Sequence, residues 1–587
     1  MILRALYDYY HRCGNLPQKG MELREIGFLI VLDINGRFVR FEDRRINKVH
    51  AQEFLVKKSV ERSSAPKANY LYDNSKYVFG YSEDADSDEK MGCVKYFNVF
   101  KARVESIYRE YPDNSDLKAI YTFYQNKQED IIKILKVDPL WDEIIKNLNK
   151  NFSYFSFLIL GDTEIVAGKQ ELISVLDRDD CNDEMGVCLV SGCKSHLVKT
   201  TAATKIFGSQ AKAKLVSFQV NSGYDSYGKT KGNNAPIGED AEFAYTTALN
   251  ALLRPDSRNN FIVGNRTFVF WSSRYDAVGK QVEESLLNLL GVRDSVEDNP
   301  NRGVQQVREV FESIYSGILK TSLDDKFYIL GLAPNSARIA VTYWADIPLI
   351  DFAKRINSHF KDMEIIDNRL EKKPYLGLYS MLSAVTLDGK INGKDSKMTP
   401  NMPEAVIKSI FHGIAYPQQF YASCIRRIRA ESSKKDKNAV SIVRVAIIKA
   451  YLNRLNNNEQ KIKVMLDKEN TNQGYLCGRL FAVLDKIQDK ANRQHSIKER
   501  YMNSASATPA AVFATILNLS SHHSEKLKEC DNVFFEKIKQ EIIDKINANG
   551  FPTHLNLQDQ GRFFVGYYHQ QQSFYSAKAG QNEDVNN

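Results

Sequence analysis

The chain has 587 residues, 43% of them hydrophobic, 26% charged and 11% aromatic, with a formal net charge of +8. That length exceeds one ordinary hydrophobic core and predicts roughly two to four domains, and with no run of 18 apolar residues the composition excludes a membrane-spanning helix. Eight scattered cysteines suit a reducing compartment better than a disulfide framework, so a cytoplasmic location is expected.

The opening "MILRALYDYYHRC" repeats Ile2, Leu3, Leu6, Tyr7 and Tyr10 on one helical face, and its interrupting charges argue against a signal peptide. Next, "GFLIVLD" and "RFVRFED" flank Asn35-Gly36, which predicts a hairpin closed by a tight type I′ turn. Residues 56–80, "VKKSVERSSAPKANYLYDNSKYVFG", read as a long polar and basic loop with tyrosines at intervals. Helical spacing returns over about 96–150 in "FNVFKARVESIYREY" and "DIIKILKVDPLWDEIIKNL". Strand-like pieces follow at "FSFLIL", "AKLVSFQV", "RTFVFWSS", "KFYILGLAP" and "RIAVTYW", so residues 1–400 are expected to be mixed α/β.

After Pro400 apolar residues fall at three-and-four spacing in "PEAVIKSIFHGI", "AVSIVRVAIIKAYLNRL", "GYLCGRLFAVLDKIQDKAN", "PAAVFATILNLSSHHSEKL" and "FEKIKQEIIDKINA". This spacing predicts a helical bundle over 401–587. The fold class is therefore α+β: a mixed α/β N-terminal and central region, then a C-terminal α-helical bundle. The closing "AKAGQNEDVNN" reads as a frayed end.

"GYDSYGKT", residues 223–230, matches the phosphate-binding loop of nucleotide hydrolases, in which backbone amides wrap phosphates, the lysine reaches them and the hydroxyl holds magnesium. The match lacks its context. "KGNNAP" disfavours the helix that should open at Lys229-Thr230, and the helix expected near Gly238 begins with Glu239, Asp240 and Glu242, which repel a phosphate. Asp84, Asp86 and Asp88 have calcium-loop spacing, but Glu89 stands where glycine is needed and Lys95 where the last glutamate belongs, so an exposed acidic loop is expected. Cys181, Cys188, Cys193 and His196 are zinc-type ligands at irregular spacing, and ordinary buried thiols are the alternative. His522-His523 reads as a solvated pair. No catalytic residue, metal or cofactor is assigned.

The charge excess is concentrated. Residues Ile425 to Leu455 hold nine Lys/Arg against two acids, either a nucleic-acid footprint or a solvated helix face. In the 56–80 loop, Lys57, Lys58, Arg62, Lys67 and Lys76 are of the type that meets phosphates, and Asn69 and Asn74 of the type that reads adenine edges. Tyr70, Tyr72 and Tyr77 either stack on bases or pack the loop down.

Several stretches together resemble one family. "MILRALYDYYHRC", "PKANYLYDNSKYVFG", "CLVSG", "LVSFQVNSGYDSYGKTKGNNAPIGEDAEFAYTTALNALL", "TFVFW", "FYILGLAPNSARIAVTYW", "YPQQF", "IIKAYLNR", "GRLFAVLDKIQ", "YMNSASATPAAVF" and "DQGRFFVGYYHQQQSFY" are similar, in this order, to the large subunit of the type I-C CRISPR interference (Cascade) complex. On this resemblance "SYGKTKGNNAP" belongs to a family pattern that is not a nucleotide hydrolase.

The resemblance implies a non-enzymatic subunit of a guide CRISPR RNA ribonucleoprotein. Pairing reads the target DNA, while this subunit recognises the short flanking motif (PAM) in the duplex, starts strand separation and helps hold displaced DNA. Its implied partners are the backbone and RNA-handle-binding Cascade subunits, a small helical subunit and a recruited helicase-nuclease, with no membrane. The PAM-side residues expected are Lys67, Asn69, Asn74 and Lys76. Backbone contacts are expected from Lys229, Lys231 and Asn234 and from Arg426, Arg427 and Arg429. The family also makes its C-terminal helical part separately from an internal start codon. Met465 is the candidate, releasing a product of roughly 120 residues, with an ordinary internal methionine as the alternative. A metal- or nucleotide-dependent nuclease and a general RNA-binding scaffold are the alternatives.

Overall fold

The computed structural model describes residues 2–60, 62, 65–82, 87–173, 185–210, 212–220, 223, 227–274, 276–290, 309–318, 322, 324–368, 376–392, 396–434, 438–455, 460–492 and 497–583. These form two compact units, one of residues 14–198 and 236–247, the other of residues 1–13, 199–235 and 248–587. The division falls inside helix Glu239–Leu252.

The first unit is built on a four-stranded sheet in the order Phe38–Asp43, Phe28–Leu32, Tyr154–Ile159, Tyr72–Asn74. Phe28–Leu32 runs parallel to Tyr154–Ile159, with Phe28 opposite Phe155, and all five of its residues are buried. An unbroken apolar run is what a strand covered on both faces requires. The hairpin forms, with a different turn from the one expected. Gly36 N donates to Asp33 O at 2.9 Å and Gly36 takes φ +81°, whereas Asn35 is absent from the positive-φ residues. Asp33 Oδ1 accepts from the amides of Asn35 and Arg37, so an aspartate-anchored turn ending in one left-handed glycine replaces the type I′ pair.

The second unit contains an antiparallel sheet in the order Arg338–Pro348, Lys326–Asn335, Arg266–Ser272, Asn260–Val263. "AKLVSFQV" is no strand. Around it Lys214 makes only an isolated bridge to Arg338. Helices Met402–His412, Gln418–Glu431, Ile442–Arg454, Gln473–Ala491, Ile497–Ala507, Pro509–Ser524, Glu529–Ile543 and Leu557–Glu583 follow. Strands in the N-terminal and central region followed by helices are the fold class expected. One buried cluster runs from Phe261 and Phe270 of the sheet to Phe563 and Phe574 of the last helix, so the change of texture near residue 400 lies within a single core.

Two histidines are sealed inside this helical core. His359 Nδ1 lies 2.6 Å from Tyr416 Oη and His569 Nδ1 lies 2.9 Å from Tyr475 Oη. Burial, with Arg454 nearby, pushes His359 from 6.5 down to about 3. Burial and Lys449 do the same to His569, against the opposing pull of Asp467 and the Val464 carbonyl. A depressed folded value means the unfolded chain binds protons first, so stability is complete above about 6.5 and is lost as pH falls towards 3. At pH 4.5 each histidine is expected to cost about 2 to 3 kcal/mol. Denaturant melts across this range should show the loss, and a His359→Asn, His569→Asn double variant should flatten the slope.

Candidate nucleic-acid interface

In the first unit, the described residues of 56–80 form a folded platform rather than a free loop. Asp73, fully buried, organises it. Its Oδ2 accepts from Asn69 N at 3.0 Å and from Arg62 Nη2, and its Oδ1 accepts from Asn74 N at 2.9 Å. Burial raises the Asp73 pKa, with Arg62 and the two amides opposing that rise. Leu71 sits in the left-handed region at φ +59° and is fully buried, a strained backbone that the surrounding contacts hold in place.

The tyrosines face inward. Tyr70 Oη donates to Leu172 O at 3.1 Å, Tyr72 Oη to Lys57 O at 2.9 Å, and the Tyr77 ring lies 4.9 Å from that of Tyr96. Of the two open readings, packing is therefore the one observed. Cations cover them, Lys57 lying 4.0 Å over Tyr70 and Arg62 4.1 Å over Tyr77.

The four PAM-side candidates separate in this frame. Asn69 is 2% exposed and its Oδ1 accepts from Val60 N at 3.0 Å, so it shapes the platform and is not displayed on the surface. Lys67 is exposed and Lys76 half-buried. Asn74 precedes the short helix Ser75–Val78 without capping it, and its Oδ1 is shielded from water with no hydrogen-bond donor among the described residues. An amide acceptor left unpaired costs stability, which marks Asn74 as the candidate with an unmade bond.

In the second unit, Lys229 and Lys231 are exposed on a loop closed by the 3-10 turn Lys231–Asn234. Asn234 is spent on that loop. Its Nδ2 donates to Lys231 O at 3.1 Å and Lys229 O at 3.4 Å, so it holds the lysines in place. With no strand among the described residues 212–220 before the loop and a helix that opens only at Glu239, the described residues lack the phosphate-loop geometry.

The basic stretch 425–455 does not make one surface. Phe420, Tyr421, Cys424, Ile425 and Ile428 bury one face of helix Gln418–Glu431, which leaves Arg426 and Arg429 outside. Arg427 is mostly buried and lies 3.4 Å from Glu431, which also holds Arg444 at 2.7 Å. Arg444 and Lys449 are buried and Arg454 mostly buried, and all three serve the fold. Lys449 Nζ donates to the carbonyls of Lys361 and Asp362 at 3.1 and 2.9 Å, at the end of helix Leu349–Met363. Arg454 Nη1 donates to those of Ser409 and Ile414 at 2.7 Å each, where helix Met402–His412 ends. Cations at helix C-termini offset the carbonyl dipoles there, a role that composition alone does not distinguish from phosphate binding.

The cysteines do not assemble a ligand set among the described residues, and Cys181 lies outside them. Cys188 is buried at the base of a small hairpin, where the amides of Val190 and Ser191 point at its sulfur from 3.4 Å. Burial alone would raise its pKa, but hydrogen bonds from Ser191, Gly238 and Val190 bring it below the ordinary thiol value. Cys193 and His196 are exposed. Asp84 and Asp86 also lie outside the described residues, and Asp88 falls in helix Ser87–Glu110 rather than a loop. His522 is exposed on helix Pro509–Ser524.

These features describe a two-unit α+β protein that displays cations on separate loops and one helix. A family model, CRISPR-associated protein (Cas_Csd1), matches residues 6–575, and the chain belongs to that family. The ordered resemblance read from the sequence is thereby borne out at the level of the family. No curated protein matches the chain. No described helix is long and apolar enough to cross a membrane.

Proposed function

We propose that the chain is the large subunit of a type I-C RNA-guided surveillance complex, in which it recognises the PAM of the target duplex and starts strand separation. The observation that carries this is family membership over almost the whole chain, residues 6–575. In such a complex the guide RNA reads the target by pairing, so the protein needs only to read the short flank and hold the backbone. Neither task requires bond chemistry from this chain. A separate helicase-nuclease, recruited once the strands part, supplies cleavage.

Within this reading, Lys67 and Lys76 meet the phosphates of the flank, Asn74 supplies the amide that reads a base edge once its shielded Oδ1 turns outward on binding, and Asn69 with Asp73 keeps the platform rigid. Lys229, Lys231, Arg426 and Arg429 follow the backbone, Asn234 and Arg427 supporting them. The test uses the chain assembled with its partner subunits and guide RNA on matched duplexes whose flank is intact or scrambled. Asn74→Ala is expected to erase most of the preference for the intact flank, about 1 to 3 kcal/mol. An Asn74→Ala complex that still discriminates fully contradicts the assignment.

Arg426→Ala with Arg429→Ala is expected to act differently. It should weaken binding to intact and scrambled flanks alike and reduce the slope of log affinity against log salt by about 1 to 2. The separate small helical subunit is read as the product starting at Met465, which is 58% exposed ahead of helix Gln473–Ala491. Met465→Leu should remove a shorter C-terminally tagged product and leave the full chain in place.

A further inference from the structure

Tyr227 was not among the residues that sequence reasoning assigned to the central loop. Its side chain is 100% exposed, the highest value of any large apolar or aromatic residue among those described. The backbone holds it there against its own preference. Tyr227 takes φ +53° and Gly228 φ +72°, and left-handed backbone at a tyrosine is the strained kind that recurs at ligand-binding positions.

The surroundings are polar and cationic. Lys229, Thr230 and Lys231 are exposed, and from Gly223 to Gly238 the sequence carries two lysines against one acid, Asp225. The base of the loop is pinned, Gly232 N donating to Lys199 O at 3.0 Å and Asn233 N to Thr230 O at 3.1 Å. Among the described loop residues 227–234 no second apolar side chain accompanies the ring, unlike the clustered apolar anchors of a protein-binding surface. An aromatic face beside lysines is the arrangement that receives an unpaired base and its phosphates.

We propose that Tyr227 is a stacking platform for an unpaired base of single-stranded nucleic acid, with Lys229 and Lys231 on the flanking phosphates. This rests on the nucleic-acid complex proposed above. Stacking accepts every base through its π face, so the contact holds a strand without reading it. Two strands have this chemistry, the DNA displaced by guide pairing and the unpaired part of the guide RNA.

The test places 5-iodouracil at successive positions of the displaced strand in one arm and of the guide RNA in the other. Each assembled complex is then irradiated and the cross-linked peptide identified. A cross-link at Tyr227 is expected in one arm, and the arm names the strand. Tyr227→Ala should weaken binding to the strand so identified by about 5- to 100-fold, and Tyr227→Phe should restore it. Tyr227→Gly, which suits the left-handed backbone, should melt no lower than the parent yet lose the cross-link. No cross-link in either arm, or equal losses for Tyr227→Phe and Tyr227→Ala, overturns the proposal. Flank discrimination is read separately in the same complexes. Its loss with stacking intact would count against the PAM reading, and its survival without stacking only against Tyr227.

Discussion

Gly478→Ala is expected to unfold the helical core at markedly lower temperature or denaturant than the parent. A Cβ at Gly478 would stand 1.9 Å from Phe563 O, and one at Gly566 would stand 2.2 Å from Tyr475 O. Helices Gln473–Ala491 and Leu557–Glu583 therefore touch main chain to main chain, with glycines on both sides of the contact. A backbone carbonyl cannot swing aside as a flexible side chain does, so the helices themselves must separate. Overpacking of this kind costs about 1 to 3 kcal/mol and sometimes more, which outweighs the gain of up to about 1 kcal/mol from replacing a helical glycine. Because one buried cluster joins these helices to the sheet, the loss should reach the whole second unit. Gly92→Ala is the matched control. Its Cβ would meet nothing closer than Tyr96 Cε2 at 3.8 Å, so that variant should be neutral or slightly stabilised.

Arg62→Ala is expected to cost about 3 kcal/mol in the first unit, because it leaves the buried Asp73 carboxylate without its cation. Two amides remain on Asp73, from Asn69 and Asn74, so the loss has a pH signature. Burial already holds the Asp73 pKa above 3.8, and losing Arg62 raises it further. A raised carboxyl value gives stability that is present in acid and lost as pH rises through the folded pKa. The deficit of the variant against the parent is therefore full at neutral pH and shrinks on acidification. Paired denaturant melts measure it directly. In the assembled complex the same variant should also blunt flank discrimination, since Asn74 stands on the platform that Arg62 and Asp73 brace.

Most of the architecture was legible from apolar spacing. "FLIVL" reads as a covered strand and "GYLCGRLFAVLDKIQDKAN" as a helix, because burial of those side chains is what the period records. The last helix escaped. In "GRFFVGYYHQQQSFY" apolar and polar residues alike are largely buried, so no amphipathic stripe marks it. "AKLVSFQV" failed for the opposite reason, as its alternation suits a strand but only a single bridge forms at Lys214.

The candidate site was legible as chemistry and less so as placement. Lys67, Lys229, Arg426 and Arg429 are exposed as a nucleic-acid surface requires. Asn69 reads as a base-contacting amide until its bond to Val60 is seen, and Lys449 and Arg454 read as surface charge until their helix-end carbonyls are seen. Those partners are far off in sequence or set by a turn, which residue type and local spacing do not encode. Tyr227 carried one signal beforehand, an aromatic residue followed by Gly-Lys-Thr-Lys, but not its full exposure.

The central claim is that flank reading resides in this chain. The direct measurement reconstitutes the guide-RNA complex with and without it and compares affinity for matched duplexes bearing an intact or a scrambled flank. Discrimination is expected only when the chain is present, and adding the chain back should restore it. Equal discrimination without the chain, or none with it, would show that flank reading resides elsewhere.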